Sequence, residues 1–227
     1  MKMVPLGDSA LLIQFDTHIT SAAHRKVRML ATFLQDYSFP GMVEFVPAFS
    51  TVTIYYNPLK RSFKEVCSEI ERIAAGLEGI PSESPRTVEI PVCYGEEFGP
   101  DLEYVAKHNG LTEDEVVKIH TETAYLVYMI GFAPGFPYLG GMSERIQAPR
   151  RPSPRLKIPA GSVGIAGMQT GVYPIETPGG WQLIGKTPEA LFRPNDRVPS
   201  LLQAGDIVRF HPISRREFEQ WKERVRQ

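Results

Sequence analysis

The sequence predicts a two-domain chain, an α+β unit followed by a β-rich unit folded as a compact barrel or sandwich. Three features carry that prediction. Residues 1–79 mix strand-period and helix-period segments, residues 80–86 (IPSESPR) form a polar, proline-bounded linker, and from Tyr125 short β-prone runs alternate with Gly and Pro clusters. At 227 residues and 42% hydrophobic content, the chain has enough apolar surface for one large core or two small ones.

In the first unit, Ala10 to Phe15 reads as a strand, and Thr20 and Ser21 precede a helix whose apolar positions Ala23, Val27, Leu30, Ala31 and Leu34 share one face. Phe39-Pro40-Gly41 ends that helix. Val43 to Phe49 and Thr51 to Tyr56 are β-rich, and Asn57-Pro58 turns the chain. Ser62 and Glu65 then spell a capping box for a second helix, with Val66, Ile70, Ile73, Ala74 and Leu77 as its buried stripe and Gly76 and Gly79 weakening its end.

The second unit, residues 87–227, opens on Thr87 to Val92, where Val88, Ile90 and Val92 alternate inward. One short helix follows Gly99-Pro100, and another is capped by Thr112 with Glu115. The chain closes on a strand, Asp206 to Phe210, and a helix capped by Ser214 and Glu217 that turns Phe218, Trp221 and Val225 inward.

Bulk properties exclude several classes of function. The formal net charge is −1, and no basic tract carries interleaved aromatics, which argues against nucleic acid and against anionic membranes. The N-terminal MKMVPLGDSALLIQFD is too short in its apolar run, and too interrupted by Gln14 and Asp16, for a signal segment or a membrane span. Cys67 and Cys93 form no C-x-x-C pair, as expected of a reducing, cytoplasmic setting.

Gly180 to Thr187 matches G-x-x-x-x-G-K-T, the spelling of a phosphate-binding loop. The context is wrong for one. Trp181, Gln182, Leu183 and Ile184 alternate like a strand, Thr177-Pro178-Gly179 is a turn where a buried strand is required, and Pro194 arrives too soon for a long helix.

The Gly/Pro-rich loops between Gly131 and Gly180 are the candidate site, because glycine admits close backbone approach and proline rigidifies a loop. Arg150, Arg151, Arg155 and Lys157 concentrate positive charge there, which suits a carboxylate or phosphate ligand or, as readily, local acids such as Glu144. Gln169, Thr170, Tyr173 and Thr177 are neutral groups able to orient an amide; Phe136, Tyr138 and Trp181 are either pocket walls or core. No metal-ligand spacing links the five histidines, and Ser162 lacks a nucleophile elbow because Ala160 replaces the first glycine. No catalytic nucleophile–base pair is recognisable.

GFAPGFPYLGG, PRLKIPAGSVGIAGMQTGVYPIETPGGWQLIGKTP and PSLLQAGDIVRF resemble the KipI/PxpB family, also called allophanate hydrolase subunit 1; GDSALLIQFD and PGMVEFVPAFSTVTIYYNP extend the resemblance to the N-terminal half. It implies an α+β N-terminal domain followed by a cyclophilin-like β-barrel C-terminal domain. Members similar to this chain are the B subunit of bacterial 5-oxoprolinase, an enzyme that opens 5-oxoproline to glutamate. On that resemblance the partners are subunits A and C, and the direct contact is with the C subunit. ATP with Mg serves the assembled enzyme, with no cofactor held tightly by this chain and no metal site. The same family contains an inhibitor of a sporulation histidine kinase, the alternative role, and fold analogy alone raises a prolyl isomerase. On the oxoprolinase reading, Arg155, Lys157 and Lys186 are candidates for stabilising developing charge, and Gln169, Thr170, Tyr173, Thr177 and Trp181 for holding the lactam ring.

Overall fold

A strand absent from the expectations opens the chain: β1 (Lys2–Pro5) pairs antiparallel with β2 (Ala10–Gln14) at the sheet edge. The computed structural model describes residues 1–77 and 85–225, and the chain divides into two units, Met1–Ser84 and Pro85–Gln227. In the first, α1 (Ser21–Asp36) begins where expected, Thr20 Oγ1 accepting the amide of Ala23 at 3.1 Å. The strands β3 (Met42–Pro47) and β4 (Thr51–Tyr56) complete an antiparallel sheet in the order β1-β2-β4-β3. Helix α2 (Phe63–Leu77) carries the expected capping box, Ser62 N and Oγ each donating to Glu65 Oε2 at 2.7 Å. Leu11, Ile13, Val52 and Ile54 form a core with Val27, Leu30 and Leu34 of α1 and Val66, Ile70 and Ile73 of α2. Ala31 is only half-buried, and Val43 lies on an exposed part of β3, which ends at Pro47 rather than Phe49.

Residues 80–84 of the expected linker lie outside the described residues, as does Gly79. Arg86, which the sequence reading places in the linker, belongs to the second unit: its guanidinium donates to both oxygens of buried Asp206 and to the Leu201 carbonyl, and its own carbonyl accepts from Ile207.

In that unit, β5 (Thr87–Tyr94) is followed by α3 (Leu102–Asn109) and α4 (Glu113–Glu122), the latter with both halves of its Thr112–Glu115 capping box made. Then come β6 (Ala124–Ile130), β7 (Pro137–Gly140), β8 (Arg155–Ile158), β9 (Ser162–Ala166), β10 (Gln169–Val172), β11 (Thr177–Gly179), β12 (Gln182–Lys186) and β13 (Ile207–Pro212). Among the described residues, seven of these strands close a barrel in the order β10-β7-β6-β13-β5-β12-β9, with β13 parallel to β5 and the other pairs antiparallel. The strands β8 and β11 form a separate two-stranded ribbon. The terminal helix α5 (Arg215–Val225) begins with the expected Ser214–Glu217 cap and buries Phe218; Trp221 is half-buried, and the side chain of Val225 lies outside the described residues.

A polar chain runs through the barrel interior. Tyr94 Oη lies 2.8 Å from His120 Nδ1, His120 Nε2 lies 3.0 Å from Thr170 Oγ1, and Thr170 Oγ1 donates to the Gly164 carbonyl at 3.0 Å. Because the threonine proton goes to the carbonyl, Thr170 accepts from His120, which fixes the Nε2–H tautomer and makes Nδ1 the acceptor of the tyrosine hydroxyl. Burial pushes the His120 pKa down to about 3, so the ring is neutral.

Candidate functional site

Beside the main barrel core, a second cluster gathers Phe136, Ile158, Ala166, Tyr173, Trp181 and Leu183. Phe136 sits at its centre, edge-on to Phe132, Tyr138, Tyr173 and Trp181 at centroid distances of 5.4, 5.0, 5.3 and 5.5 Å, geometry that favours aromatic quadrupoles. The rings come from three regions of the chain: Phe132, Phe136 and Tyr138 from the β6–β7 connection and β7, Tyr173 from just after β10, and Trp181 from just before β12. Gly179 makes this packing possible, because a Cβ there would stand 2.5 Å from Tyr173 Oη. Burial raises the Tyr173 pKa to about 12, opposed by the Trp181 amide and by the charges of Arg150 and Arg155. The phenol is therefore a protonated donor at neutral pH.

Next to the rings lies an ion cluster whose acid the sequence reading missed. Buried Asp101, immediately before α3, accepts from Arg155 Nη1 and Nη2 at 2.8 and 2.9 Å, from Arg151 Nη1 at 2.9 Å, and from the Leu183 amide at 2.7 Å. Its own amide donates to the Leu183 carbonyl at 2.9 Å. The approach of this segment to β12 again needs glycine, since a Cβ on Gly99 would run into the Ile184 carbonyl. Two further bonds tie the basic loop to the start of β12: Gln182 Nε2 donates to the Pro149 carbonyl at 2.9 Å, and Arg151 N to the Gly180 carbonyl at 2.7 Å. The sequence offered Glu144 as the local acid; the carboxylate that pairs with Arg151 and Arg155 is Asp101. Its only sequence signal was a polar residue after Gly99-Pro100, indistinguishable from a helix start.

Of the predicted site residues, the structure brings Arg155, Tyr173 and Trp181 to this face, with Thr177 in the adjoining ribbon, opposite Ile158. Four others are placed elsewhere. Thr170 is fully buried with its hydroxyl committed to His120 and Gly164, a correction to its expected role as a ligand group. Gln169, half-buried, opens β10 opposite Ala166. Lys157 is 79% exposed and pairs with Glu176 at 3.3 Å. Lys186 lies at the end of β12 away from Trp181, opposite Ser162, a separation of about 16 Å along an extended strand.

The Walker-like stretch is a strand. Residues 182–186 pair with β9, the Thr187 amide donates to the Gly161 carbonyl, and no helix starts at Lys186-Thr187. Strand alternation puts Ile184 in the barrel core and Trp181 and Leu183 in the aromatic cluster, and a β-bulge between Leu183 and Gly185 shifts the pairing with β9.

A closed barrel with a ring-and-arginine face built from its loops is the architecture on which the comparisons bear. The chain belongs to the family described as carboxyltransferase domain, subdomain C and D, which matches residues 1–202. Within it, the chain is 53% identical to the 5-oxoprolinase B subunit of Bacillus subtilis (strain 168), over 96% of this chain and 95% of that one. It is 44% identical to the 5-oxoprolinase B subunit of Escherichia coli O157:H7, over 91% and 94% of the two chains. The solved structure of TTHA0988 superposes with a TM-score of 0.80 at 36% identity, covering 90% of this chain and 39% of that longer one. Among the described residues no helix is long and apolar enough to cross a membrane.

Proposed function

We propose that this chain is the B subunit of an ATP-dependent 5-oxoprolinase that converts 5-oxoproline to glutamate in the cytoplasm. It works there with subunits A and C, and the C subunit is its direct partner. The observation that carries the reading is the end-to-end likeness to proteins named as the B subunit of 5-oxoprolinase, at 53% identity. The barrel is read as cyclophilin-like, supported by its closure around an apolar interior with α3 and α4 against it.

The chemistry assigned to this chain is binding and orientation. Its loops present guanidiniums and the exposed Phe132 ring over a buried aromatic cluster, groups that hold a polar ring and stabilise developing negative charge. The reaction's ATP is not assigned to the Walker-like segment, because the Thr187 amide is taken by Gly161 and the strand before it is paired with β9. ATP with Mg belongs, on this reading, to the assembled enzyme. Co-expression with subunits A and C should give ATP-dependent glutamate formation from 5-oxoproline, and the chain alone should give none. An inactive but well-folded assembly, or activity of the isolated chain, would count against the proposal.

A further inference from the structure

The arginine cluster holds more positive charge than its single acid balances. Asp101 spends both oxygens on Arg155 but meets Arg151 through Nη1 alone. Arg151 Nε is buried with no hydrogen-bond partner among the described residues, although the side chain as a whole remains 35% exposed. Arg150, exposed and next to it, pairs with no carboxylate among the described residues. Three guanidiniums against one carboxylate leave an unmet demand for an anion, and the exposed part of the Arg151 guanidinium, with exposed Arg150 beside it in the chain, can meet a carboxylate.

A second observation points to the same face. Phe132 has φ of 70°, a left-handed conformation unfavourable for an aromatic residue, and it is 64% exposed. It stands edge-on over Phe136 and Tyr173; Tyr173 packs on Gly179, and the next residue, Gly180, accepts the Arg151 amide at 2.7 Å. Backbone strain that presents an apolar ring to solvent, beside uncompensated cations, suits a ligand with an apolar ring and an anionic substituent.

We infer that Arg150, Arg151 and Phe132 form a subsite for a small cyclic carboxylate, with the carboxylate on the two guanidiniums and the ring against Phe132. Arg155 and Asp101 act as positioning residues that hold Arg151. The inference rests on the proposed function for naming 5-oxoproline as the ring carboxylate, but its chemistry is testable apart from it.

The sequence contains two tryptophans, so Trp221→Phe leaves Trp181, packed against Phe136, as the reporter of this face. Fluorescence titration of that variant with 5-oxoproline and with 2-pyrrolidinone, the same lactam lacking the carboxylate, should show the carboxylate ligand binding at least tenfold more tightly. Arg151→Met should erase the preference, Arg151→Lys should restore part of it, and Phe132→Gly should weaken both ligands. Equal affinity for the two lactams in that variant, or no binding of either at millimolar concentration, overturns the subsite with none of its own residues altered. In the assembled enzyme, hydrolysis of 5-oxoproline with an unchanged KM in Arg151→Met would overturn the subsite and leave the function standing. An inactive assembly in which this chain still discriminates the two lactams would do the reverse.

Discussion

Asp101 is the residue through which one substitution reaches furthest, since its carboxylate is the meeting point of α3, the basic loop and β12. Asp101→Ala leaves two guanidiniums facing each other and the Leu183 amide unpaired, and should cost about 3–5 kcal/mol in urea unfolding. A loss below about 1 kcal/mol would mean that the cluster is held by its backbone instead. The buried His120 makes a different prediction. Its folded pKa of about 3 lies below the ordinary 6.5, so between those values the unfolded chain binds the extra proton. Stability therefore falls as pH drops from about 6.5 towards 3, and is unaffected by this group above that window. Its ring resonances should not titrate above pH 4 in the folded protein; a midpoint near 6.5 would refute the neutral buried ring. Thr170→Val, which strands the His120 Nε2–H, should cost about 1–3 kcal/mol and leave lactam binding unchanged.

At the scale of elements, β12 is the strand whose sequence imitates a nucleotide site. Trp181 at its head is 5% exposed, so Trp181→Ala should cost about 3–5 kcal/mol as the aromatic cluster loses a wall. Lys186→Ala at the far end should change stability by less than about 1 kcal/mol, and calorimetry on the isolated chain should find no ATP affinity for it to abolish. Tight nucleotide binding lost in Lys186→Ala would reverse that reading. Three of the helices were legible because they carry their own start signals: the Ser62–Glu65, Thr112–Glu115 and Ser214–Glu217 boxes are local, made between residues three apart. The edge strand β1 was not, because Lys2–Pro5 is short, without strong alternation, and becomes a strand only by pairing with β2.

For the whole molecule, Arg86 sets where the second unit must begin. A fragment starting at Pro85 keeps the Arg86–Asp206 pair and should unfold cooperatively, whereas one starting at Thr87 should be less stable by about 1–3 kcal/mol, because Asp206 stays buried without its cation. Equal melting temperatures for the two fragments would show the pair to be dispensable. The sequence by itself determined the helices and most strands of both units, and the rejection of the phosphate loop, since capping, period and turn chemistry act over a few residues. It also singled out Arg155, Tyr173 and Trp181. Only the tertiary structure decided that Thr170 serves the barrel interior, that Lys186 stands apart from the other cations, and that Asp101 binds Arg151 and Arg155 from some fifty residues away. Barrel closure and a β-bulge set those neighbours. Both are long-range events that compete for the same side chains, and no local spacing records which partner wins.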